Sequence, residues 1–269
     1  MKIGFDGKTA VVTGAANGLG REVARLLVDG GARVVGFDIR PVDLPGVETR
    51  GVDMGDPRSI DAAVARLDAP IDALCNVAGL PQTKPAAEVV RVNFLGLRHL
   101  TEALAPRMAP GASVTNVASN AGNGWPQRRP LLEDALATPD FESGERWMQR
   151  HLADQGDPYT FSKELVQLYT LRRSHTLYRE HGVRMNCVSP GEMSTAMMAE
   201  FRKAMADKII DAVAEASTLG RMASPEEVAP AVIFLASEQA RFCCGAIFDV
   251  DGGWTAVTLT DQVDYSVFA

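Results

Sequence analysis

The chain has 269 residues, a net charge of −7, and 46% hydrophobic against 23% charged residues. That apolar share excludes a disordered chain, the acidic balance argues against nucleic-acid and anionic-membrane partners, and no apolar run approaches a membrane span. At about 150 residues per domain the length points to nearly two, but single α/β domains reach about 250, so one domain over residues 1–269 is expected. Asp6 and Lys8 interrupt the N-terminal apolar stretch, which therefore does not read as a signal peptide. Cys75, Cys187, Cys243 and Cys244 are expected to be free, mostly buried thiols of a cytoplasmic protein. Neither they nor the four histidines have metal-ligand spacing, so no metal site is expected.

In chain order, residues 8–13 (KTAVVT) read as a buried strand, 14–20 as a glycine-rich turn, and 21–29 as a helix stopped by Gly30 and Gly31. Strands follow at 33–37 and, weakly, at 49–52. Asp56 then caps a helix with Pro57 in its first position. Residues 71–77 read as a fourth strand, 88–108 as one helix and 113–118 as a fifth strand. Residues 121–157 carry no clean period, with helical pieces near 131–136 and 145–152. A long helix at 159–180, a strand at 183–188, a helix at 209–216, a helix at 225–237 capped by Ser224 and a last strand at 246–250 complete the chain. This alternation predicts a doubly wound, Rossmann-like α/β fold with a mostly parallel sheet. An eight-stranded βα barrel fits the length as well, but gives no reason for a glycine-rich turn directly after the first strand.

That turn places Gly14, Asn17, Gly18, Leu19 and Gly20 between a strand and a helix N-terminus, where free N–H groups and the helix dipole suit a pyrophosphate. The spacing is G-x-x-x-G-x-G rather than G-x-G-x-x-G. Asp38 ends the second strand, 18 residues past Gly20. A carboxylate there accepts hydrogen bonds from ribose hydroxyls and repels an extra phosphate, which favours NAD; Arg40 nearby keeps NADP open.

The stretch from Thr13 to Gly20 resembles the TGxxxGxG signature of the short-chain dehydrogenase/reductase family, and further motifs follow in the family's order. The resemblance implies that Asp53 meets the adenine and that Asn76, Val77, Ala78 and Gly79 stand for the NNAG segment. It also implies that Asn93 is the asparagine of the central helix, that Ser119, Tyr159 and Lys163 are the catalytic serine and YxxxK pair, and that Pro190, Gly191 and Thr195 border the nicotinamide. These matches run from residue 8 to the DGG at 251–253 and imply an NAD-dependent enzyme interconverting an alcohol and a carbonyl.

Tyr159 and Lys163, four apart, share one helix face. A nearby ammonium is expected to lower the phenol from about 10 toward the working range, so that Tyr159 exchanges a proton with the substrate oxygen while Ser119 polarises it. The resemblance adds that Lys163 holds the nicotinamide ribose and that Asn93 anchors a water linking Lys163 to solvent.

Ser119 and Tyr159 are 40 residues apart, far more than the family's usual interval. An insertion over about 122–158 is therefore expected, either a surface excursion with its own small core or a lid whose Trp125, Trp147 and Met148 line the substrate pocket. The insertion is similar to that of the coniferyl-alcohol dehydrogenase and bacterial 3α-hydroxysteroid dehydrogenase/carbonyl reductase branch. That similarity implies a bulky, partly apolar substrate, an aromatic allylic alcohol or a 3α-hydroxysteroid. A non-catalytic dinucleotide sensor is the rival outside enzymes. The family resemblance implies a tetramer interface along the central and catalytic helices, which an insertion beside the catalytic helix would block, so a homodimer through the last predicted helix and strand is expected, with a tetramer open.

Overall fold

A computed structural model describes residues 3–68, 70–204 and 207–263. Among them the β-branched and apolar runs become seven strands of one parallel sheet: β1 (Thr9–Thr13), β2 (Arg33–Asp38), β3 (Val47–Gly51), β4 (Ile71–Asn76), β5 (Met108–Val117), β6 (Arg184–Pro190) and β7 (Ile247–Val250), in the order β3-β2-β1-β4-β5-β6-β7. β1, β5 and β6 are mostly or wholly buried, as strands covered on both faces must be.

Helices fill both faces. On one, α1 (Gly18–Asp29) presents Leu19, Val23 and Leu27 at helical spacing to α10 (Pro225–Ala236), whose Val228, Val232 and Ile233 close that core. On the other, α2 (Pro57–Ala65), α4 (Leu97–Leu104) and α7 (Pro158–His181) bury Ile60, Leu100, Phe161 and Leu165. The expected caps form: the Asp56 carboxylate accepts the Arg58 N–H at 3.0 Å, and Glu227 accepts the Ser224 N–H at 2.9 Å. The order reverses between β1 and β4, so a crevice opens there above the carboxyl ends of the strands.

Several expectations change. The single helix expected over 88–108 is α3 (Ala86–Val90), a π-helical turn (Arg91–Gly96), α4 and a 3₁₀ turn (Ala105–Arg107), after which Met108 already pairs with Ile71 as the start of β5. The wider turn swings Asn93 onto the backbone of Leu80, and π turns inside helices commonly mark such a site. Two helices were not anticipated at all, α8 (Ala196–Ala204) and α11 (Trp254–Leu259); α9 is Asp207–Ala216. Cys75 and Cys187 are buried, their thiols pushed up to about 12 by desolvation, but Cys243 is half-buried and Cys244 exposed, because both follow α10 on a surface turn rather than in a strand. No helix among the described residues is long and apolar enough to cross a membrane.

The insertion is α5 (Trp125–Leu136) and α6 (Phe141–His151), the latter capped by Asp140. It has no core of its own. Leu132, Ala135, Phe141, Trp147 and Met148 are buried in the same cluster as α4 and α7. Trp147 stacks on Phe161 of α7 and donates its Nε1–H to Asp134 at 2.6 Å. Arg98 of α4, itself buried, donates to the carbonyls of Thr138 and Asp140, both at 2.8 Å, which satisfies the turn between the two helices. Arg128 of α5 reaches the buried Glu164 of α7 at 2.8 Å.

Candidate active site

The crevice is a groove of about 920 Å³ lined from the ends of β1, β2, β4 and β5 and from α7 and α8. Its floor is tight. The Thr13 hydroxyl accepts the N–H groups of Val77 and Ala78 at 2.9 and 3.0 Å, drawing the turn after β1 against the turn after β4. A Cβ on Gly14 would stand 2.9 Å from the Ala78 Cα, and one on Gly20 would stand 2.2 Å from the Gly14 carbonyl oxygen. Glycine is therefore required where the α1 N-terminus meets the turn. Asn17 does not cap α1 with its side chain, so the first-turn N–H groups of that helix remain donors facing the groove, where a pyrophosphate fits.

Asp38 is almost fully buried, and both of its oxygens are engaged: one accepts the Ala16 N–H at 3.1 Å, the other the Arg40 N–H at 2.9 Å. It thus fixes the glycine turn as well as presenting negative charge to the groove. Asp53 lines the groove and accepts the Gly55 N–H at 2.7 Å. Ala78, Gly79 and Thr195 also line it. Asn76 does not. It lies beneath, donating to Thr101 and Asn116, with its own Oδ1 buried and without a partner. Pro190 and Gly191 lie behind the wall, Gly191 packed against the backbone of Asp251.

At the far end, Lys163 and the half-buried Tyr159 enter the groove from the first turns of α7. That helix starts sharply because Asp157 accepts the Thr160 N–H at 2.7 Å and Pro158 takes its first position. Lys163 is 5% exposed; its Nζ donates to the Val117 carbonyl at 3.0 Å and lies 5.4 Å from the Tyr159 ring centre. Ser119 lies beside Tyr159; its hydroxyl donates to the Asn120 Oδ1 at 3.1 Å and accepts the Ala121 N–H at 3.2 Å, and its carbonyl is held by Gln167 at 3.0 Å. Asn93 is fully committed below them: it accepts the Leu80 N–H at 2.7 Å and donates to the Leu80 carbonyl and to Ser162, both at 3.1 Å.

The electrostatics differ from the sequence expectation. Desolvation pushes the Tyr159 phenol up to about 12, with Asp157 and Glu192 adding to the rise and Ser119 opposing it. Desolvation also pushes the Lys163 ammonium down to about 8. Desolvation, not the neighbouring group, is the largest cause in both cases, so the phenol is not lowered. Tyr159 is protonated and Lys163 largely charged at neutral pH.

No residue of 122–158 lines the groove. Trp147 and Met148, expected at the substrate, are core residues at 4% exposure each, and Trp125 packs against that core. The wall they were expected to form comes instead from the segment after β6: Met193, Met197 and Glu200 line the groove, and Phe201 meets the Tyr159 ring edge-on at 4.9 Å. The sequence signal was there, an apolar and charged run at helical spacing just past Thr195.

Two family models match the chain, one described as short chain dehydrogenase over residues 8–130 and one as Enoyl-(Acyl carrier protein) reductase over 148–255. The gap between them falls inside the insertion. A coniferyl-alcohol dehydrogenase of a Pseudomonas species is 35% identical over 91% of this chain and 96% of its own. A 3-alpha-hydroxysteroid dehydrogenase/carbonyl reductase of Comamonas testosteroni is 30% identical over 94% and 98%. The crystal structure of a 3-alpha-hydroxysteroid dehydrogenase from a Pseudomonas species, complexed with NADH, superposes with a TM-score of 0.78 at 28% identity, covering 94% of this chain and 99% of that one.

Proposed function

The chain belongs to the short-chain dehydrogenase/reductase family, an oxidoreductase acting on alcohols with a nicotinamide dinucleotide, and from that premise we propose that it oxidises a bulky aromatic allylic alcohol of the coniferyl type to its aldehyde, with NAD preferred to NADP. The observation that carries the reading is that Tyr159 and Lys163, with Ser119 beside Tyr159, stand at one end of a groove whose other end suits a pyrophosphate. The coniferyl-alcohol dehydrogenase relative supports the substrate class, and the carboxylate of Asp38 supports NAD. The steroid dehydrogenase neighbour motivates a second reading, a 3α-hydroxysteroid as substrate.

The residues present fit the dinucleotide. Gly14, Asn17, Gly18, Leu19 and Gly20 would hold the pyrophosphate, Asp38 the adenosine ribose, Asp53 the adenine side, and Ala78, Gly79, Lys163 and Thr195 the nicotinamide half. When bound, the dinucleotide supplies the hydride acceptor for oxidation. Tyr159 then takes the substrate's hydroxyl proton as phenolate, or returns it as phenol in reduction. Ser119 hydrogen-bonds the same oxygen. Lys163 stabilises the phenolate through its charge, and Asn93 holds the Leu80 turn that borders it. Since the phenol stands near 12, its ionised share rises about tenfold per pH unit below that value, so oxidation accelerates with pH while reduction does not.

Tyr159→Phe is expected to remove turnover, read as NADH absorbance, while nucleotide binding, read by fluorescence, persists; full activity in that variant refutes the mechanism. Comparing coniferyl alcohol with a 3α-hydroxysteroid separates the two substrate readings. The edge of β7, with exposed Phe248 and the neighbouring Phe242, suits a homodimer, and light scattering that gives a monomer or a tetramer overturns that part.

A further inference from the structure

Tyr159, Lys163 and Gln167 follow one another at intervals of four on α7 and so share one face of that helix. The first two line the groove, whereas Gln167, 1% exposed, lies one turn deeper. Its Nε2 stands 3.0 Å from the Ser119 carbonyl oxygen and 2.8 Å from the Asn123 Oδ1, with the Ser189 Oγ of β6 farther off at 3.4 Å. A carbonyl can only accept, so the group that meets Ser119 is the NH₂, and its second proton goes to Asn123. That fixes Asn123 in turn. Its oxygen faces Gln167, and its own NH₂ donates to the Thr255 hydroxyl of α11 at 2.8 Å. The Ser119 carbonyl also accepts the Gly122 N–H at 2.9 Å, so both of its lone pairs are taken. Gly122 is seated directly on α7: a Cβ there would stand 2.8 Å from the Lys163 carbonyl and 3.0 Å from the Gln167 Nε2. The turn from Ser119 to Asn123 is therefore fastened to the catalytic helix at the point where the insertion leaves β5.

We infer that Gln167 is a positioning residue for Ser119, acting with Asn123 to hold the end of β5 in a fixed place relative to Tyr159. One amide grips the backbone of the serine and the side chain at the base of the insertion, so Ser119 follows α7 and not α5 and α6. The serine hydroxyl itself stays free to turn. Its contact with the Asn120 Oδ1, at 3.1 Å, can be exchanged for the substrate oxygen without moving the backbone. Without the Gln167 amide the Ser119 carbonyl loses one of its two partners in a buried place, and the turn is held only by its own Gly122 bond. A displacement of about 1 Å at a reacting group costs up to about a hundredfold in rate. The nucleotide end is untouched, because neither Gln167 nor Asn123 lines the groove. The inference rests on the proposed role of Ser119 beside Tyr159.

The test is the rate of hydride transfer in a single turnover, measured with NAD and the better substrate of coniferyl alcohol and a 3α-hydroxysteroid. Gln167→Met keeps the length of the side chain but donates nothing. It is expected to slow the transfer roughly ten- to hundredfold while the dissociation constant for NADH stays within about twofold of wild type. Asn123→Ala, which leaves the core face of α7 intact, is expected to slow it about two- to fivefold. In a Ser119→Ala background each substitution is expected to cost less than about twofold, since no hydroxyl is left to misplace; a merely structural role would carry its loss into that background. An unchanged rate in Gln167→Met, or a loss of the same size with and without Ser119, overturns the inference. Melting curves accompany each variant, and if Gln167→Met melts below the assay temperature, Asn123→Ala decides by the same two comparisons. A Ser119→Ala enzyme as fast as wild type would instead refute the catalytic reading beneath it.

Discussion

Lys163→Met should make the protein more stable at neutral pH while removing its activity. Lys163 is 5% exposed, and desolvation depresses its ammonium from the usual 10.5 to about 8. Between those values the unfolded chain binds the proton that the folded chain has lost, so stability rises with pH through that window. The burial penalty is full below about 8 and gone above 10.5. The difference of about 2.5 in pKa corresponds to about 3 kcal/mol. Methionine keeps the apolar stem but drops the hydrogen bond to the Val117 carbonyl, worth about 1 kcal/mol. The net gain near pH 7 is about 2 kcal/mol, or roughly 4–8 °C in melting temperature for a domain of this size. Above pH 10.5 the gain should reverse to a small loss. Melting followed by circular dichroism on nucleotide-free protein, wild type against variant from pH 7 to pH 10.5, reads the effect as a difference that cancels changes common to both. A variant that melts at or below wild type near pH 7, or a difference that does not vary with pH, would refute the argument that this lysine is held at a cost.

Asp38→Asn removes the charge that faces the ribose but keeps an oxygen for the backbone turn, and Arg40 beside it is then unopposed. At an effective dielectric near 20, a unit charge a few ångströms from a phosphate is worth a few kcal/mol, so the KM for NADP is expected to fall at least about tenfold. Steady-state kinetics with both nucleotides check this, and an unchanged preference rejects Asp38 as its source. Trp147→Ala empties a packed site and strands Asp134, which is expected to cost about 3–5 kcal/mol of stability. Urea unfolding measures that cost. On the folded variant at low temperature the KM for the alcohol should stay within about twofold of wild type, the tolerance expected of a distant packing change, and a large rise in KM would return Trp147 to the substrate site.

The parallel sheet was legible because its signals are local: β-branched runs, glycine stops, and caps such as Asp56 and Glu227 act within a few residues. The nucleotide end was legible for the same reason, since Gly14 and Gly20 are demanded by contacts of one turn with its immediate neighbours. What failed to show depends on distant partners. The helix expected over 88–108 broke where Asn93 reaches Leu80, thirteen residues away in sequence, and where Met108 finds Ile71 across the sheet. The sign of the Tyr159 shift was misjudged because spacing reveals a neighbouring lysine but not how thoroughly both groups are dehydrated.

The insertion shows the same limit and changes where specificity should be sought. Two tryptophans beside a catalytic position suggested a pocket wall, yet an aromatic side chain goes wherever it buries most area, and the nearest apolar surface was the flank of α4 and α7. Arg98 and Arg128 then pin the turn and the helix through buried hydrogen bonds and an ion pair, so α5 and α6 open only by stripping partners from charged groups that are already desolvated. Breaking such a contact is costly, which speaks against a lid. The wall segment from Glu192 to Phe201 is tied at its start by backbone bonds to Ala223 and beyond that by more exposed contacts. It carries exposed ion pairs such as that between Lys203 and Glu200, touches Tyr159 through one aromatic edge, and lines the groove with methionines, whose flexible side chains adapt to varied shapes. Substitutions at Met193, Met197 and Phe201 should therefore move the substrate profile, whereas those in α5 and α6 should move stability first.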